Sequence, residues 1–570
     1  MRYLSYLRNK NIKNPTRNTC VNQLNSTCKK HLAMSCKTCV LFALFVVFNL
    51  CSLCQPHQFS TLTSGRDAQN TSPNILLITS DQQRTDSINA YNVIDGKSSS
   101  IQSPNLDRLA SEGVIFKDSF SVSPVCSPCR NSLLTGVHVP VHGVVENTVT
   151  PHKAGLTTYP DLLEKEGYYN LLIGKSHFSP MPKSFHYTNV HTGNTDMRCQ
   201  NYTECDIDED DFLETYLVND AMDQIKKHVE KSSEDPFFLH LSFVSPHPPS
   251  TPPSPWESKY VDADLPDLNY RPGDIEKLPN QTRILLGLTE NPPETQSRAK
   301  AWLNEDGTPN YDVINKERRL YYGLCAYVDE QVGRIVDFVD SAGIGENTLV
   351  IFTSDHGSFL YDHGIDNDKH GFMDSSLRVP LIMRMKGTLP ANVTKTFAST
   401  LDVTASVLGA ANVVKPNQIG YGSDANTTSF FMSGYDLFSP MKMNERVYHK
   451  QLPRRAVAST EFRGYAVCTT KYKLMYFTEQ DEVKLFDRIN DLNEVNDLST
   501  NKDYDVVKNK LLLALLRWRS QQDDLQWAME NWDSAAEVGI RARDDASVLS
   551  GIVAEENLQV AADIVDKIVI

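Results

Sequence analysis

The chain has no surplus of positive charge: 56 Lys and Arg face 71 Asp and Glu, for a formal net charge of -15. A nucleic-acid binder shows the opposite balance or a basic stripe, so nucleic acid is set aside as a partner. An anionic small substrate is not excluded, because a local cluster of cations outweighs a distant acidic surface. Internal repeats and low-complexity tracts are absent, which excludes solenoid arrays. The apolar run Val40–Leu53 falls short of the ~20 residues that a spanning helix needs. A zinc framework is missing too. Cys126 and Cys129 have the spacing of a redox or metal pair, but no second pair of ligands follows them.

What is present is ordinary globular composition, 40% hydrophobic and 22% charged over 570 residues. That length allows two or three domains, or one large α/β unit with a smaller appendage. Residues 1–54 read as a targeting segment. Arg2, Arg8, Lys10, Lys13, Arg17, Lys29, Lys30 and Lys37 precede the apolar run, with no acidic residue among them. Small residues Ser52 and Cys54 suit signal cleavage before Gln55. The long basic flank suits a type II signal anchor in a membrane instead. Both place the remainder in the lumen of the secretory pathway or outside the cell. Sequons at Asn70, Asn201, Asn280, Asn392 and Asn426 agree with that. Of 12 cysteines, six (Cys20, Cys28, Cys36, Cys39, Cys51 and Cys54) lie in or near the targeting segment. Cys199 and Cys205 bracket a short polar loop and suit a disulfide in an oxidising compartment. Cys325 and Cys468 read as buried inert thiols.

Beyond a polar linker over 55–72, four short apolar runs stand out: Asn74–Thr79, Tyr169–Ile173, Phe237–Phe243 and Thr348–Thr353. Such runs mark strands buried on both faces of a parallel sheet. Helical patterns lie between them: one from Ser103, a candidate N-cap before Pro104, one at Tyr159–Glu166 and one at Glu317–Asp340. The alternation predicts an α/β fold with a mostly parallel sheet. Ligands in such sheets bind beyond the carboxyl ends of the strands. Polar residues follow each strand closely: Asp81 and Gln82, Lys175 and His177, His247, and Asp355 and His356. That recurrence predicts one shared site. Past residue 440 the pattern changes to strands over Arg455–Phe477 and Val483–Asp487 and a helix over Asp503–Gln521, a smaller α+β lobe. The expected organisation is a catalytic domain over 73–440, a C-terminal subdomain over 441–525 and a tail over 526–570 without a motif.

The segment Cys126-Ser-Pro-Cys-Arg130 matches the C-x-P-x-R signature of sulfatases. Other blocks follow in that family's order. Asn74–Asp81 resembles its opening strand, Gly174-Lys-Ser-His177 its G-K-x-H block, and Pro246-His-Pro248 a histidine block. Ser354-Asp-His-Gly357 resembles its second metal block, and Lys369, nine residues before Arg378-Val-Pro-Leu381, matches a sulfate-holding lysine. Leu485–Glu494 resembles a strand and turn of its smaller lobe. Over roughly 72–520 the chain thus resembles the formylglycine-dependent sulfatases of the alkaline-phosphatase-like superfamily. The resemblance implies that superfamily's fold, with helices flanking a mostly parallel central sheet.

It also implies a chemistry. A sulfate ester is an anion that repels nucleophiles and has a poor leaving group, so the site must supply charge, a strong nucleophile and a proton. In the family, an endoplasmic-reticulum enzyme oxidises the cysteine, here Cys126, to formylglycine, and its hydrated diol attacks sulfur. Arg130, Lys175 and Lys369 would supply fixed charge. His247, with Lys369, would protonate the leaving alcohol, and His177 would act as base. Asp81, Gln82, Asp355, His356 and the side chain at Cys126 would bind a divalent cation. The resemblance favours Ca²⁺, with Mg²⁺ or Mn²⁺ as alternatives. The substrate would be a sulfated carbohydrate or other small sulfate ester. Alternatives are a phosphonate or phosphodiester substrate at the same site, or an inactive surface glycoprotein with the fold. Asn147 is a weaker candidate for a substrate contact. The chain departs from the commoner pattern at Gln82, where many members have a second Asp, at His356, where many arylsulfatases have Asn, and at Cys129, a position that is usually Ser. Asp-Gln early and Asp-His late resemble the choline-sulfatase and phosphonate-monoester-hydrolase branch, and His356 also the iduronate-sulfatase branch. Loops Ser184–Asp211 and Pro248–Asn310 are expected to carry specificity.

Overall fold

The computed structural model describes residues 72–566 except 148–150, 154–155, 192–196, 201–204, 232–234, 289–301, 305–307, 414–431, 444–454 and 531–557. The targeting segment, most of the linker and the sequons at Asn70, Asn201 and Asn426 lie outside the described residues. Among the described residues no helix is long and apolar enough to cross a membrane.

Eight strands form one sheet, β5-β4-β6-β1-β7-β8-β2-β9. They are β1 (Asn74–Ser80), β2 (Val114–Phe116), β4 (Tyr169–Gly174), β5 (Tyr187–Val190), β6 (Phe237–Ser242), β7 (Thr348–Ser354), β8 (Leu381–Arg384) and β9 (Asn392–Thr394), while β3 (Ser119–Phe120) and β10 (Ala398–Ser399) pair in parallel as a separate two-stranded sheet. The four apolar runs are the four central strands β4, β6, β1 and β7, all mutually parallel. Only β8 runs antiparallel to its neighbours β7 and β2. Strand residues alternate between faces, and both faces are apolar. Ile75, Leu77, Leu172, Phe238 and Ile351 pack with residues of helices α2 (Cys126–Thr135), α3 (Tyr159–Lys165) and α6 (Thr400–Ala410). Leu76, Ile78, Leu171, Leu241 and Phe352 pack with residues of α1 (Pro104–Glu112), α4 (Leu213–Lys231) and α5 (Tyr311–Ser341). Each fully buried aliphatic side chain contributes about 1.5–3 kcal/mol, so the sheet centre is the firm base on which the strand ends are presented.

One expected detail is corrected. Pro104 does open α1, but the Ser103 side chain does not cap it. Asp329, on α5, accepts hydrogen bonds from Asn105 N at 3.1 Å and Leu106 N at 2.7 Å instead. A carboxylate from a packed helix satisfies the free N–H groups, which leaves Ser103 Oγ to donate to Asp107.

The C-terminal lobe is an antiparallel meander, β11 (Ala456–Glu461), β12 (Gly464–Thr469), β13 (Tyr472–Phe477) and β14 (Glu482–Asp487). One face packs on α7 (Asp505–Glu530) and on Leu558, Ala562 and Val565 of the tail. The other packs on the catalytic part through Val457, Met475 and Phe477 against Phe120, Phe359 and Phe372. Cys199 and Cys205 are joined in a disulfide, and Cys325 and Cys468 are buried free thiols.

Candidate active site

The strand ends β4, β6, β1 and β7 converge where α2 begins. Cys126 is the first residue of α2 and is fully buried. Its Sγ lies 3.1 Å from His356 Nε2, 3.2 Å from Lys369 Nζ and 3.7 Å from Asp81 Oδ1. Burial alone would push the thiol up. Lys175, Lys369 and His356 beside it overcome that and hold it well below the ordinary thiol range. Cys129, one turn on, faces elsewhere: its thiol donates to the Asp355 carbonyl at 3.0 Å. Burial and the Asp355 charge push that thiol up to about 12. The two cysteines of the motif therefore sit in opposite electrostatic surroundings, one activated and one inert.

Arg130 lies on the same face of α2, one turn beyond Cys126. Its guanidinium is buried and each of its three nitrogens donates. Nε donates to Asp355 Oδ2 and one terminal nitrogen to Asp81 Oδ2, both at 2.9 Å. The other terminal nitrogen donates to the Lys175 carbonyl at 3.1 Å and Ser242 Oγ at 2.8 Å. Lys175 Nζ closes on Asp81 Oδ2 at 2.5 Å. Burial and the Cys126 charge push the Asp81 carboxyl up, but Lys175, His247 and Arg130 together hold it well below the usual carboxylate range. Lys175 reaches this point because β4 ends on Gly174, at φ +104°, where a Cβ would lie 1.9 Å from the Ser242 carbonyl. The glycine of the G-K-x-H block is thus required by close backbone approach.

Asp81, Cys126, Asp355 and His356 each offer one ligand atom, all within 4.8 Å of one another and all buried. Two oxygens on one Ca²⁺ are separated by at most about 5.2 Å, twice the longer ligand distance, so the cluster fits a single hard cation. His356 Nδ1 donates to the Gly357 carbonyl at 2.9 Å, which leaves Nε2 free to coordinate. Gln82, at φ +67°, directs Oε1 to the same centre, where it accepts from Lys369 Nζ at 3.3 Å. Its amide nitrogen is tied to the Asn367 carbonyl at 3.1 Å.

His247 Nδ1 donates to the Pro248 carbonyl at 2.7 Å, and Nε2 accepts from Lys369 Nζ at 3.0 Å. Burial and the adjacent Lys369 hold this imidazole below its ordinary value. His177, at φ +52°, adds to the groups that lower the Cys126 thiol, and its Nδ1 is buried without a partner. Asn147 Oδ1 accepts from Ser127 N at 2.9 Å, so it closes the first turn of α2.

The structure brings together every residue expected at the site. It also adds three. Ser242 anchors Arg130, a role signalled only by its place at the end of an apolar run. Buried Arg198 donates to the His247 carbonyl at 2.9 Å and so ties the disulfide-bonded segment to the histidine loop. Glu461 of β11 accepts from His370 Nδ1 at 2.6 Å. Neither Arg198 nor Glu461 carries a local pattern.

A buried cluster of cations and carboxylates around one reactive side chain, set at the ends of parallel strands, defines a hydrolase of anionic esters. The family model described as Sulfatase matches residues 73–413, and that described as N-sulphoglucosamine sulphohydrolase, C-terminal, matches 362–521. The chain belongs to the sulfatase family and is a sulfuric ester hydrolase. It is 25% identical over 479 residues to an arylsulfatase of Clostridium perfringens (strain 13 / Type A), covering 76% of this chain and 91% of the relative. It is 26% identical over 452 residues to a choline-sulfatase of Rhizobium meliloti (strain 1021), covering 72% and 81%. Among solved structures, one of a protein in complex with its substrate D-glucosamine-2-N,6-O-disulfate shares the fold. That match has a TM-score of 0.62 and 20% identity, and covers 80% of this chain and 98% of the other.

Proposed function

We propose that this sulfatase hydrolyses sulfate esters of carbohydrates, using formylglycine made from Cys126 and a bound Ca²⁺. The observation that carries this reading is the convergence of Cys126, Arg130, Lys175, His177, His247 and Lys369 on the four-residue ligand cluster. The Cys126 Sγ stands where an oxygen of the modified residue would lie. When present, the hydrated aldehyde supplies the nucleophilic oxygen and the cation the charge that polarises the sulfuryl group. The chain's own residues do the rest. Arg130 holds the Asp81 and Asp355 carboxylates in ligating position. Lys369 and Lys175 neutralise the sulfuryl oxygens. Lys369 carries the proton that reaches the leaving oxygen, with His247 Nε2 as its partner in the transfer. His177 takes a proton from the hydroxyl at residue 126.

The carbohydrate substrate is supported by the sugar disulfate bound to a protein of the same fold. Entry to the secretory pathway, by cleaved signal or membrane anchor, is supported by the N-terminal sequence. It is also what formylglycine formation by the maturation enzyme requires. The deciding experiment is a panel of aryl, choline and glycosaminoglycan sulfates with phosphodiesters as controls. Turnover of a sulfated sugar at the highest kcat/KM is expected. Preference for a phosphodiester or for choline sulfate would refute the carbohydrate assignment.

A further inference from the structure

Three consecutive residues of β11 in the C-terminal lobe reach two separate arms of the site. Ser459 Oγ donates to the Ser121 carbonyl at 2.6 Å, and Thr460 N donates to the Val122 carbonyl at 2.8 Å. Residues Ser121–Val125 lead directly into Cys126. The next residue, Glu461, holds the other arm. One carboxylate oxygen accepts from His370 Nδ1 at 2.6 Å and the second accepts from Gly371 N at 3.0 Å. Lys369 immediately precedes them. Glu461 is buried, and it raises the His370 imidazole above its ordinary value against burial, which alone would push it down.

On its N-terminal side the Lys369 segment is held through Asn367, which accepts from Gln82 Nε2 and Ser358 Oγ, and through the Asp368 carbonyl, which accepts from Phe359 N at 2.8 Å; on its C-terminal side His370 and Gly371 are held by Glu461. Asp368 Oδ1 accepts from Lys369 N at 2.7 Å, and Ser376 Oγ donates to the Lys369 carbonyl. Next to them Gly371, at φ +121°, gives the backbone a conformation that resists little by itself. The Lys369 ammonium nevertheless must meet Cys126, Gln82 and His247 at 3.0–3.3 Å. A flexible four-carbon side chain stays there only on a backbone fixed on both sides of it.

We propose that Glu461 is a positioning residue for catalysis: the C-terminal lobe sets Lys369 against residue 126 by gripping His370 and Gly371, while Ser459 and Thr460 fix the segment that leads into residue 126 from the same edge. This rests on the sulfatase reading above. Three consecutive residues of one short strand hold both reacting arms, so their separation is set by the strand and not by the loops. Covering the core is the only role that hydrophobic contacts would require of β11, and a buried carboxylate is an expensive way to do that.

The test uses the full-length, metal-loaded secreted protein and its Glu461→Ala and Glu461→Gln variants. The probes are inorganic sulfate, whose affinity is measured by calorimetry, and the sulfate ester that wild type turns over fastest. Glu461→Ala should weaken sulfate binding and kcat/KM by about tenfold, because small displacements of a positioned charge are costly. Glu461→Gln keeps an acceptor for Gly371 N and loses the ion pair, and should lie between. In a Lys369→Ala background the Glu461→Ala change should add less than about twofold, since residues acting through one group are not additive. Folded variants with wild-type sulfate affinity would overturn the proposal. So would an equal loss in both backgrounds, which would mark a general structural role. Wild type that neither binds sulfate nor cleaves any sulfate ester would instead overturn the functional reading, and this inference with it.

Discussion

Replacing Arg130 by Met tests how the site is held together. The side chain keeps a similar length and loses its charge. Four hydrogen bonds disappear at once, two of them to the buried carboxylates of Asp81 and Asp355. Asp81 keeps Lys175 at 2.5 Å. Asp355 keeps hydrogen bonds from Gln82 N at 3.1 Å and His356 N at 2.9 Å on its other oxygen, with His356 Nε2 at 3.7 Å. Breaking a buried pair from one side costs about 3–5 kcal/mol, because a charge is left uncompensated. At about 1 °C per kcal/mol for a unit of this size, the melting temperature in chelator should fall by about 3–5 °C. A cation can replace the missing charge. Because the variant presents a more negative cluster, it should bind Ca²⁺ more tightly, and saturation at a hundredfold over Kd is worth about 2.7 kcal/mol. The gap to wild type should therefore narrow as Ca²⁺ is added, while activity stays lost. The assay is thermal unfolding with EDTA and across a Ca²⁺ titration. A gap below about 2 °C in EDTA, or one that Ca²⁺ leaves unchanged, would refute the reasoning.

Other consequences can be measured on the same protein. Gln82→Asp adds one negative charge beside Lys369 and should lower the ratio of phosphodiesterase to sulfatase activity. An unchanged ratio would show that charge here does not set specificity. Cys129→Ser should keep activity, because the Cys129 thiol donates to the Asp355 carbonyl and its sulfur accepts from Ser121 Oγ, both of which a serine hydroxyl also does; activity loss above about tenfold would contradict that. Burial pushes the imidazoles of His142 and His240 from 6.5 down to about 3. Their folded values lie below their unfolded ones, so the stability they contribute is present above pH 6.5 and is lost as pH falls towards 3. A His142→Gln, His240→Gln double variant should show a shallower fall in melting temperature between about pH 6.5 and 4.5, and a slope equal to wild type would exclude these two groups as its source.

The parts of the fold that could be read from residues alone are those with local causes. Buried central strands must be apolar on both faces, so Asn74–Ser80 and Thr348–Ser354 appear as unbroken runs. Their polar followers, Asp81 and Asp355, mark the site because a parallel sheet presents all its carboxyl ends on one side. Contacts between distant segments left no such trace. Asp329 caps a helix 224 positions away, and Glu461 grips a loop 91 positions away. Ser103 looked like the cap because it stands in the right place, yet a better acceptor arrives from another helix. The short strands Val114–Phe116 and Leu381–Arg384 are set by pairing with each other and with β7. Three or four residues carry too little periodicity to announce that.

Catalysis turns on the state of residue 126 in active protein, and peptide mass spectrometry reads it directly. The secreted enzyme should be digested after its turnover of a sulfate ester has been confirmed. Oxidation of Cys126 to formylglycine lowers the mass of its peptide by about 18 Da, whereas a Cys126–Cys129 disulfide lowers it by about 2 Da and vanishes on reduction. The expected result is the larger loss, located at Cys126 and not at Cys129, with Cys126→Ala protein unmodified and inactive. Active protein that carries only thiol or disulfide at Cys126 would contradict the mechanism.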